Sequence, residues 1–128
     1  MTETMTSDEF LQRYGSRRSK YGNYRVEADG HIFDSRAEAR RYQELKRLVD
    51  FGAICDLRVH PRYVLQAAFK DRHGKTRRAI SYEADFEYRE GDEMVVEDVK
   101  GTRTAVFNIK EKMFLKLYPS LDLRVVEA

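Results

Sequence analysis

The chain has 128 residues, of which 41% are hydrophobic and 36% charged, a composition typical of one globular domain with a modest core. No apolar run approaches the roughly 20 residues of a membrane span, and residues 1–9 are polar and acidic, so neither an anchor nor a secretory leader is expected. The net charge is only +2, and the single Cys55 excludes an internal disulfide and a cysteine-rich zinc site. We expect a cytoplasmic protein, with Cys55 as a small core residue.

Residues 13–25 are strongly basic, with five cations, three tyrosines and no acid. This mixture of positive charge and stacking surface suits a nucleic-acid backbone, and a solvated tail is the alternative interpretation. Gly15 and Gly22 indicate a flexible arm over residues 1–22, followed by a single domain over residues 23–128. The candidate nucleic-acid contacts in this region are Arg13, Arg17, Arg18, Lys20 and Arg25.

A small hairpin turning at Asp29-Gly30 is predicted to lead into the first helix. Ser35 is a typical N-cap, apolar residues recur at helical spacing, and Gly52 is a helix stop signal. Glu38 has two interpretations: it completes a capping box with Ser35, or it faces the sheet from the start of the apolar stripe and serves a metal site. That stripe comprises Ala37, Tyr42, Leu45, Leu48 and Val49.

The middle of the chain predicts a strand over residues 57–69, interrupted near Pro61, because proline is restricted to edges and strand starts. Residues 70–78 read as a basic hairpin tip, either solvated or in contact with phosphate through Lys75 and Arg77. A second helix is expected at about residues 104–118, followed by a last strand over 121–126. Lys110 lies on the apolar stripe of this helix, from which it either extends to solvent or points towards acids, and we count it among the candidate nucleic-acid contacts.

Residues 85–100 carry an acid on each of two predicted strands. If Gly91-Asp92 is a two-residue turn, the numbers of paired residues sum to 183, which puts Asp85 opposite Asp98. The same register puts Glu83 opposite Lys100. Carboxylates on Cβ atoms roughly 4.5–5.5 Å apart repel, so this pair needs a compensating cation.

A divalent metal ion is the cation that best suits these acids. Carboxylate oxygens without a nearby histidine or cysteine favour Mg²⁺, with Mn²⁺ as a substitute. Strand alternation places Lys100 on the face of Asp98 and Glu97 on the opposite face, where Glu97 is expected to be structural. Two acids, a lysine and a metal predict a phosphodiester-hydrolysing site, and a surface hairpin with solvated acids is the alternative.

Three motifs in this order resemble the PD-(D/E)xK nuclease superfamily. They are Phe33-Asp-Ser-Arg-Ala-Glu-Ala-Arg-Arg-Tyr42 in the first helix, Tyr82-Glu-Ala-Asp-Phe86, and Val96-Glu-Asp-Val-Lys-Gly101. The closest likeness is to small phage and prophage proteins similar to Holliday junction resolvases, and it covers about residues 20–126. Ala84 stands where the superfamily signature has proline, and Asp98 where glutamate is commoner.

The resemblance implies an α/β fold with a restriction-endonuclease-like core: a helix, a three-stranded antiparallel meander, a helix and a strand, with a mixed central sheet and an N-terminal hairpin. It implies that Asp85, Asp98 and the Val99 carbonyl ligate Mg²⁺, and that Lys100 positions the attacking water. Glu38 would assist the metal site from the first helix.

For function, the resemblance implies a metal-dependent, structure-selective DNA endonuclease that cuts four-way junctions or other branched DNA in recombination and repair. It also implies a homodimer, because a four-way junction has two strands to cut symmetrically. If a phage encodes the chain, the protein is expected in the cytoplasm of the host cell. The alternatives are an endonuclease that nicks or cuts linear DNA, and a non-catalytic DNA-binding module.

Overall fold

The computed structural model describes residues 25–128, in which a first compact unit ends at Ala53 and a second spans Ile54–Glu127. The predicted arm, residues 1–22, lies outside the described residues, and so do Arg13, Arg17, Arg18 and Lys20. The division into an arm and a single domain stays a prediction. Within residues 25–128, no helix is long and apolar enough to cross a membrane.

The first unit contains the predicted hairpin and helix. Strands β1 (Val26–Ala28) and β2 (His31–Phe33) pair antiparallel around Asp29-Gly30, whose φ angles of 52° and 82° suit an aspartate and a glycine. Helix α1 (Arg36–Asp50) begins at the N-cap Ser35 and ends at Phe51. The predicted helix is therefore confirmed within one residue at each end.

Helix α1 uses only part of its predicted apolar stripe. Tyr42 and Leu45 are buried, and the Tyr42 ring lies 5.2 Å from that of Phe33. Val49 is exposed, so its placement on the buried stripe was wrong. The buried stripe is narrow because only the central turn of α1, from Tyr42 to Leu45, faces the interior of the unit.

The second unit is built on a mixed sheet of four strands, β3 (Cys55–Val59), β8 (Phe86–Glu90), β9 (Glu93–Lys100) and β10 (Leu121–Glu127). Their order in the sheet is β10-β9-β8-β3. Strands β3, β8 and β9 pair antiparallel, whereas β10 runs parallel to β9. This confirms an α/β protein with a mixed sheet.

Between β3 and β8 the chain makes an excursion of four short strands. Strand β4 (Arg62–Gln66) pairs with β7 (Ile80–Glu83), and β5 (Phe69–Lys70) pairs with β6 (Thr76–Arg77) to form the basic hairpin tip. The predicted strand over residues 57–69 is thus divided between two sheets. The chain bends at His60, which has a φ of 55°, and Pro61 precedes β4 as a strand start.

Helix α2 (Ala105–Leu117) covers one face of this unit. It starts at Thr104, whose hydroxyl accepts the Phe107 N–H at 3.1 Å, and it ends at Tyr118. Its buried residues, Phe107 and Phe114, join a core cluster with Tyr63, Leu65, Tyr82, Ala84 and Val96.

Several apolar residues of this unit are exposed. Val106 and Leu117 of α2 face solvent because the helix buries the side that carries Phe107 and Phe114, seven residues apart. Cys55 is also exposed, so its assignment to the core was wrong: it begins β3, an edge strand of the sheet.

Candidate functional site

The acidic hairpin has the predicted register. Every described pair from Phe86–Glu97 to Glu90–Glu93 sums to 183, and Gly91 takes a φ of 61° in the turn. The turn residues and the alternation of the strands therefore determine which side chains of β9 share a face.

Asp85 lies just outside this ladder. Its N–H donates to the Glu97 carbonyl at 3.1 Å, its carbonyl accepts the His60 N–H at 2.9 Å, and its carboxylate accepts the Val99 N–H at 2.6 Å. A direct ladder pair with Asp98 was thus a wrong expectation. The chain has already begun to leave the hairpin, since the Ala84 N–H donates to the Pro61 carbonyl at 3.0 Å.

The prediction that Glu83 lies opposite Lys100 was also wrong. Glu83 pairs with Arg62 in the β4–β7 sheet rather than with Lys100 in the hairpin, and the two side chains form an ion pair of 3.6 Å. Because the chain changes sheets at residues 84–85, the hairpin register does not extend to Glu83.

Asp98 and Lys100 form the centre of the site on β9. Asp98 is 3% exposed, accepts the Tyr82 hydroxyl hydrogen, and has one oxygen 3.5 Å from the Lys100 ammonium. The ammonium also lies 4.5 Å from the centre of the Phe107 ring, a cation–π contact that positions it.

Tyr82 is the hydroxyl donor of the site. Burial raises its pKa well above the ordinary value of 10.0, and the hydrogen bond to Asp98 and the charges of Asp98 and Asp85 raise it further. Tyr82 therefore stays protonated and keeps donating to Asp98. No local sequence signal marks Tyr82 as a site residue, because β7 pairs with β4 rather than continuing the hairpin.

His60 is a second residue that sequence analysis missed. One of its ring nitrogens and a carboxylate oxygen of Asp85 lie within 4.8 Å of each other, so the expectation that no histidine is near the acids was wrong. The bend between β3 and β4 brings them together. Nothing in the spacing of His60 and Asp85 along the chain signals this contact.

Glu38 lies in the first unit, in the first turn of α1. Its N–H donates to the Ser35 hydroxyl at 3.1 Å, which is the helix-capping half of the predicted motif. Its service to a metal site stays a prediction.

Glu97 has the orientation that alternation predicted. It is 1% exposed and accepts the Tyr88 hydroxyl hydrogen, on the face of β9 opposite to Asp98. Val99, whose carbonyl is a candidate ligand, is buried between the two site positions Asp98 and Lys100.

Of the described basic candidates, Arg25, Arg77 and Lys110 have side-chain partners within the protein. Arg25 lies 3.9 Å from Asp34, and Arg77 donates to Asp71 at 3.2 Å while half exposed on the β5–β6 tip. Lys110 donates to the Ser81 carbonyl at 2.8 Å, so it points neither to bulk solvent nor to the acids. Lys75, Arg77 and the others stay predictions as nucleic-acid contacts.

Fold and site together define an α/β protein with two acids and a lysine at the end of the central antiparallel pair of a mixed sheet. The family model described as "Protein of unknown function (DUF1064)" matches residues 18–128, and the chain belongs to this family. A search of curated proteins gave no match.

Proposed function

We propose that this protein is a metal-dependent DNA endonuclease, and most specifically a Holliday junction resolvase that hydrolyses phosphodiester bonds in branched DNA. The observation that carries the proposal is that the Asp85 carboxylate accepts the Val99 N–H on β9, between Asp98 and Lys100, whose side chains lie 3.5 Å apart. The order α1, antiparallel β3-β8-β9, α2 and parallel β10 supports it, because a PD-(D/E)xK core is expected to have this order.

The donor set fits a hard divalent cation. Carboxylates of Asp85 and Asp98 and the Val99 carbonyl are oxygen ligands of the kind that Mg²⁺ and Mn²⁺ take. When bound, the metal would polarise the scissile phosphate and offset its developing charge.

The chain's own groups hold the acids and the lysine in place. The Val99 N–H fixes the Asp85 carboxylate, and the Tyr82 hydroxyl fixes that of Asp98. Lys100 is held between Asp98 and the Phe107 ring, where its ammonium can orient the attacking water and stabilise negative charge on the phosphate. The buried surroundings of Asp98 make these electrostatic contacts stronger than they would be in water.

The β5–β6 tip is the candidate DNA contact within the described residues. It has five lysine and arginine residues within residues 70–78 and one acid, Asp71. Asp71 accepts the N–H groups of His73 and Lys75 and the side chain of Arg77, so it is committed to holding the turn. The remaining positive charge is available to phosphates.

A cleavage assay tests the proposal. Purified protein is incubated with an immobile four-way junction, a fork and a plain duplex, with Mg²⁺ or Mn²⁺ and with chelator. We expect cutting of the junction at symmetric positions, none with chelator, and weak or no cutting of the duplex. Equal cutting of all three substrates would favour the linear-DNA alternative, and no cutting of any would contradict an endonuclease.

Matched substitutions on one hairpin locate the chemistry. Asp85→Asn should abolish cleavage and leave junction binding intact or tighter, since a carboxylate near phosphate is removed. Asp92→Asn, an exposed residue in the turn of the same hairpin, should leave the rate unchanged. Wild-type rates for Asp85→Asn would remove it from the site.

A non-catalytic DNA-binding module is the second candidate, favoured by the burial of Asp98. Both of its oxygens have partners, Tyr82 and Lys100, as expected for a residue that stabilises the fold. Junction binding that is unaffected by chelator, without any cleavage in Mg²⁺ or Mn²⁺, would support this candidate.

The arm and the tip can be compared as DNA contacts through salt dependence. Deletion of residues 1–22 removes Arg13, Arg17, Arg18 and Lys20. If all four contact phosphate, the slope of log K against log salt should fall by roughly three to four, at about 0.9 per contact. Equal slopes would assign phosphate binding to the globular part, and the double substitution Lys75→Ala and Arg77→Ala should then reduce the slope by about two.

A further inference from the structure

His60 stands where the chain bends from β3 to β4, beside Asp85. Its backbone N–H donates to the Asp85 carbonyl at 2.9 Å, and a ring nitrogen lies within 4.8 Å of an Asp85 carboxylate oxygen. Main chain and side chain therefore both place this histidine against one of the proposed metal ligands. Its φ of 55° is a left-handed conformation, which most side chains adopt only at a cost.

The separation suits two ligands of one ion. Bonds of about 2.0–2.2 Å from a metal to nitrogen and oxygen put the two ligand atoms at most about 4.3 Å apart. A distance within 4.8 Å therefore needs only a small side-chain movement to close around an ion. Both side chains are partly exposed, so an ion can reach them.

The nitrogen changes which ion the site prefers. Mg²⁺ takes oxygen ligands and keeps its waters, whereas divalent first-row transition ions gain from an imidazole ligand. Mn²⁺ is the member of that series that also suits carboxylate and carbonyl oxygens. A site in which the His60 imidazole joins the Asp85 carboxylate thus matches Mn²⁺ better than Mg²⁺.

We propose that His60 is a ligand of the metal centre and that it makes the centre select Mn²⁺ over Mg²⁺. This inference rests on the metal site of the proposed function and replaces the Mg²⁺ preference predicted from oxygen ligands alone.

Direct metal binding by full-length protein tests the inference. The titrations follow the electron paramagnetic resonance signal of free Mn²⁺, and Mg²⁺ affinity is obtained by competition. We expect wild-type protein to bind Mn²⁺ at least tenfold more tightly than Mg²⁺. The variant His60→Gly should lose at least tenfold of its Mn²⁺ affinity and keep its Mg²⁺ affinity within about threefold, since only a transition ion uses the imidazole.

The control is His73→Gly, which removes an exposed histidine from the turn of the β5–β6 tip. Glycine suits the positive φ of residue 60, so His60→Gly should fold, and urea denaturation checks that it does. His60→Asn, which also tolerates this backbone, should shift preference towards Mg²⁺ by replacing nitrogen with an amide oxygen. An unchanged Mn²⁺-to-Mg²⁺ ratio in both His60 variants would overturn the inference.

Cleavage assays with the same proteins separate this inference from the proposed function. If wild-type protein cuts junctions but the His60 variants keep the wild-type metal preference, the histidine ligand is wrong and the endonuclease stands. If Mn²⁺ binding depends on His60 but no DNA is cut with either ion, the metal site stands and the endonuclease is wrong.

Discussion

Two consecutive acids on β9 have nearly the same environment but lie on opposite faces of the sheet. Glu97 is 1% exposed and Asp98 is 3% exposed, and each accepts the hydroxyl hydrogen of a buried tyrosine, Tyr88 and Tyr82 respectively. The face of Asp98 also carries Lys100 at 3.5 Å, next to the backbone amide of Val99 that holds Asp85. A buried carboxylate that accepts a tyrosine hydrogen bond is therefore not enough to identify the site. The two acids differ in the charged groups beside them: the face of Asp98 carries Lys100 and lies next to Asp85.

The largest expected effect is a difference in cleavage rate between variants of the two acids. Asp98→Asn should lower single-turnover cleavage of a four-way junction by about 10³-fold or more, because it removes a charge from the proposed metal site. Glu97→Gln, on the other face, should stay within about threefold of wild type. Both variants are assayed on the same junction, with binding measured by gel shift.

This comparison fails if Asp98→Asn cuts at the wild-type rate or if Glu97→Gln loses as much activity as Asp98→Asn. The second outcome would mean that both faces contribute to chemistry. Circular dichroism and urea denaturation of both proteins establish that each is folded.

The next effect concerns the lysine that distinguishes the two faces. Lys100→Ala should lower the single-turnover rate by about 10²–10³-fold, as expected for an electrostatic group aimed at developing charge. Lys116→Ala, an exposed lysine of α2, should change the rate little. Similar rates for the two variants would remove Lys100 from the mechanism.

Substitution of Tyr82 and Tyr88 should lower the free energy of unfolding in both cases but the cleavage rate in only one. Tyr88→Phe and Tyr82→Phe each deprive a buried carboxylate of a donor, so each should lower the free energy of unfolding by about 1–3 kcal/mol in urea. Tyr82→Phe should also slow cleavage by about tenfold, because Asp98 is less firmly held, whereas Tyr88→Phe should not. Equal cleavage by the two variants would show that the Tyr82 hydrogen bond serves the fold alone.

The smallest effect is on alkaline stability. Burial raises the pKa of Tyr82 above 10.0, so above about pH 10 the unfolded chain loses this proton while the folded chain keeps it. The stability that Tyr82 contributes is therefore complete below pH 10 and is lost as the pH rises. Tyr82→Phe should reduce the slope of unfolding free energy between about pH 10 and about pH 11 by up to about 1.4 kcal/mol per pH unit.

Urea denaturation of wild-type and Tyr82→Phe proteins across this range measures the difference. Tyr63, whose pKa is also raised by burial, remains in both proteins and contributes equally to both slopes. Identical slopes would show that Tyr82 titrates normally.

Local signals made much of this fold predictable from sequence. Ser35 and Gly52 predicted the ends of α1 because capping and stop signals act within one turn. The turn at Gly91-Asp92 predicted the register of β8 and β9, and with it the opposite faces of Glu97 and Asp98, because side chains in a strand alternate.

The missed parts depend on contacts between distant segments. The chain leaves the hairpin at residues 84–85 because β7 pairs with β4, a choice that no local pattern of Glu83 encodes. His60 lies opposite Asp85 because β3 pairs with β8 and β4 pairs with β7 in the same register, so the residues between the two ladders also face each other. The Tyr82 hydroxyl on β7 reaches Asp98 on β9, a strand of a different sheet. The hairpin register was therefore predictable from sequence, whereas the contacts of Tyr82 and His60 with the acids were not.

The segment between β3 and β8 is closed at its two ends by backbone hydrogen bonds, and this has a consequence for protein engineering. His60 to Asp85 and Ala84 to Pro61 are joined by backbone hydrogen bonds of 2.9 and 3.0 Å, and Tyr63, Leu65 and Tyr82 anchor β4 and β7 in the core. Residues 67–79, which include the β5–β6 tip, lie beyond these two hydrogen bonds and contribute no residue to the core cluster. A hairpin of different length or charge should therefore be accepted in place of the β5–β6 tip without moving the acids and the lysine, because none of the core contacts passes through it.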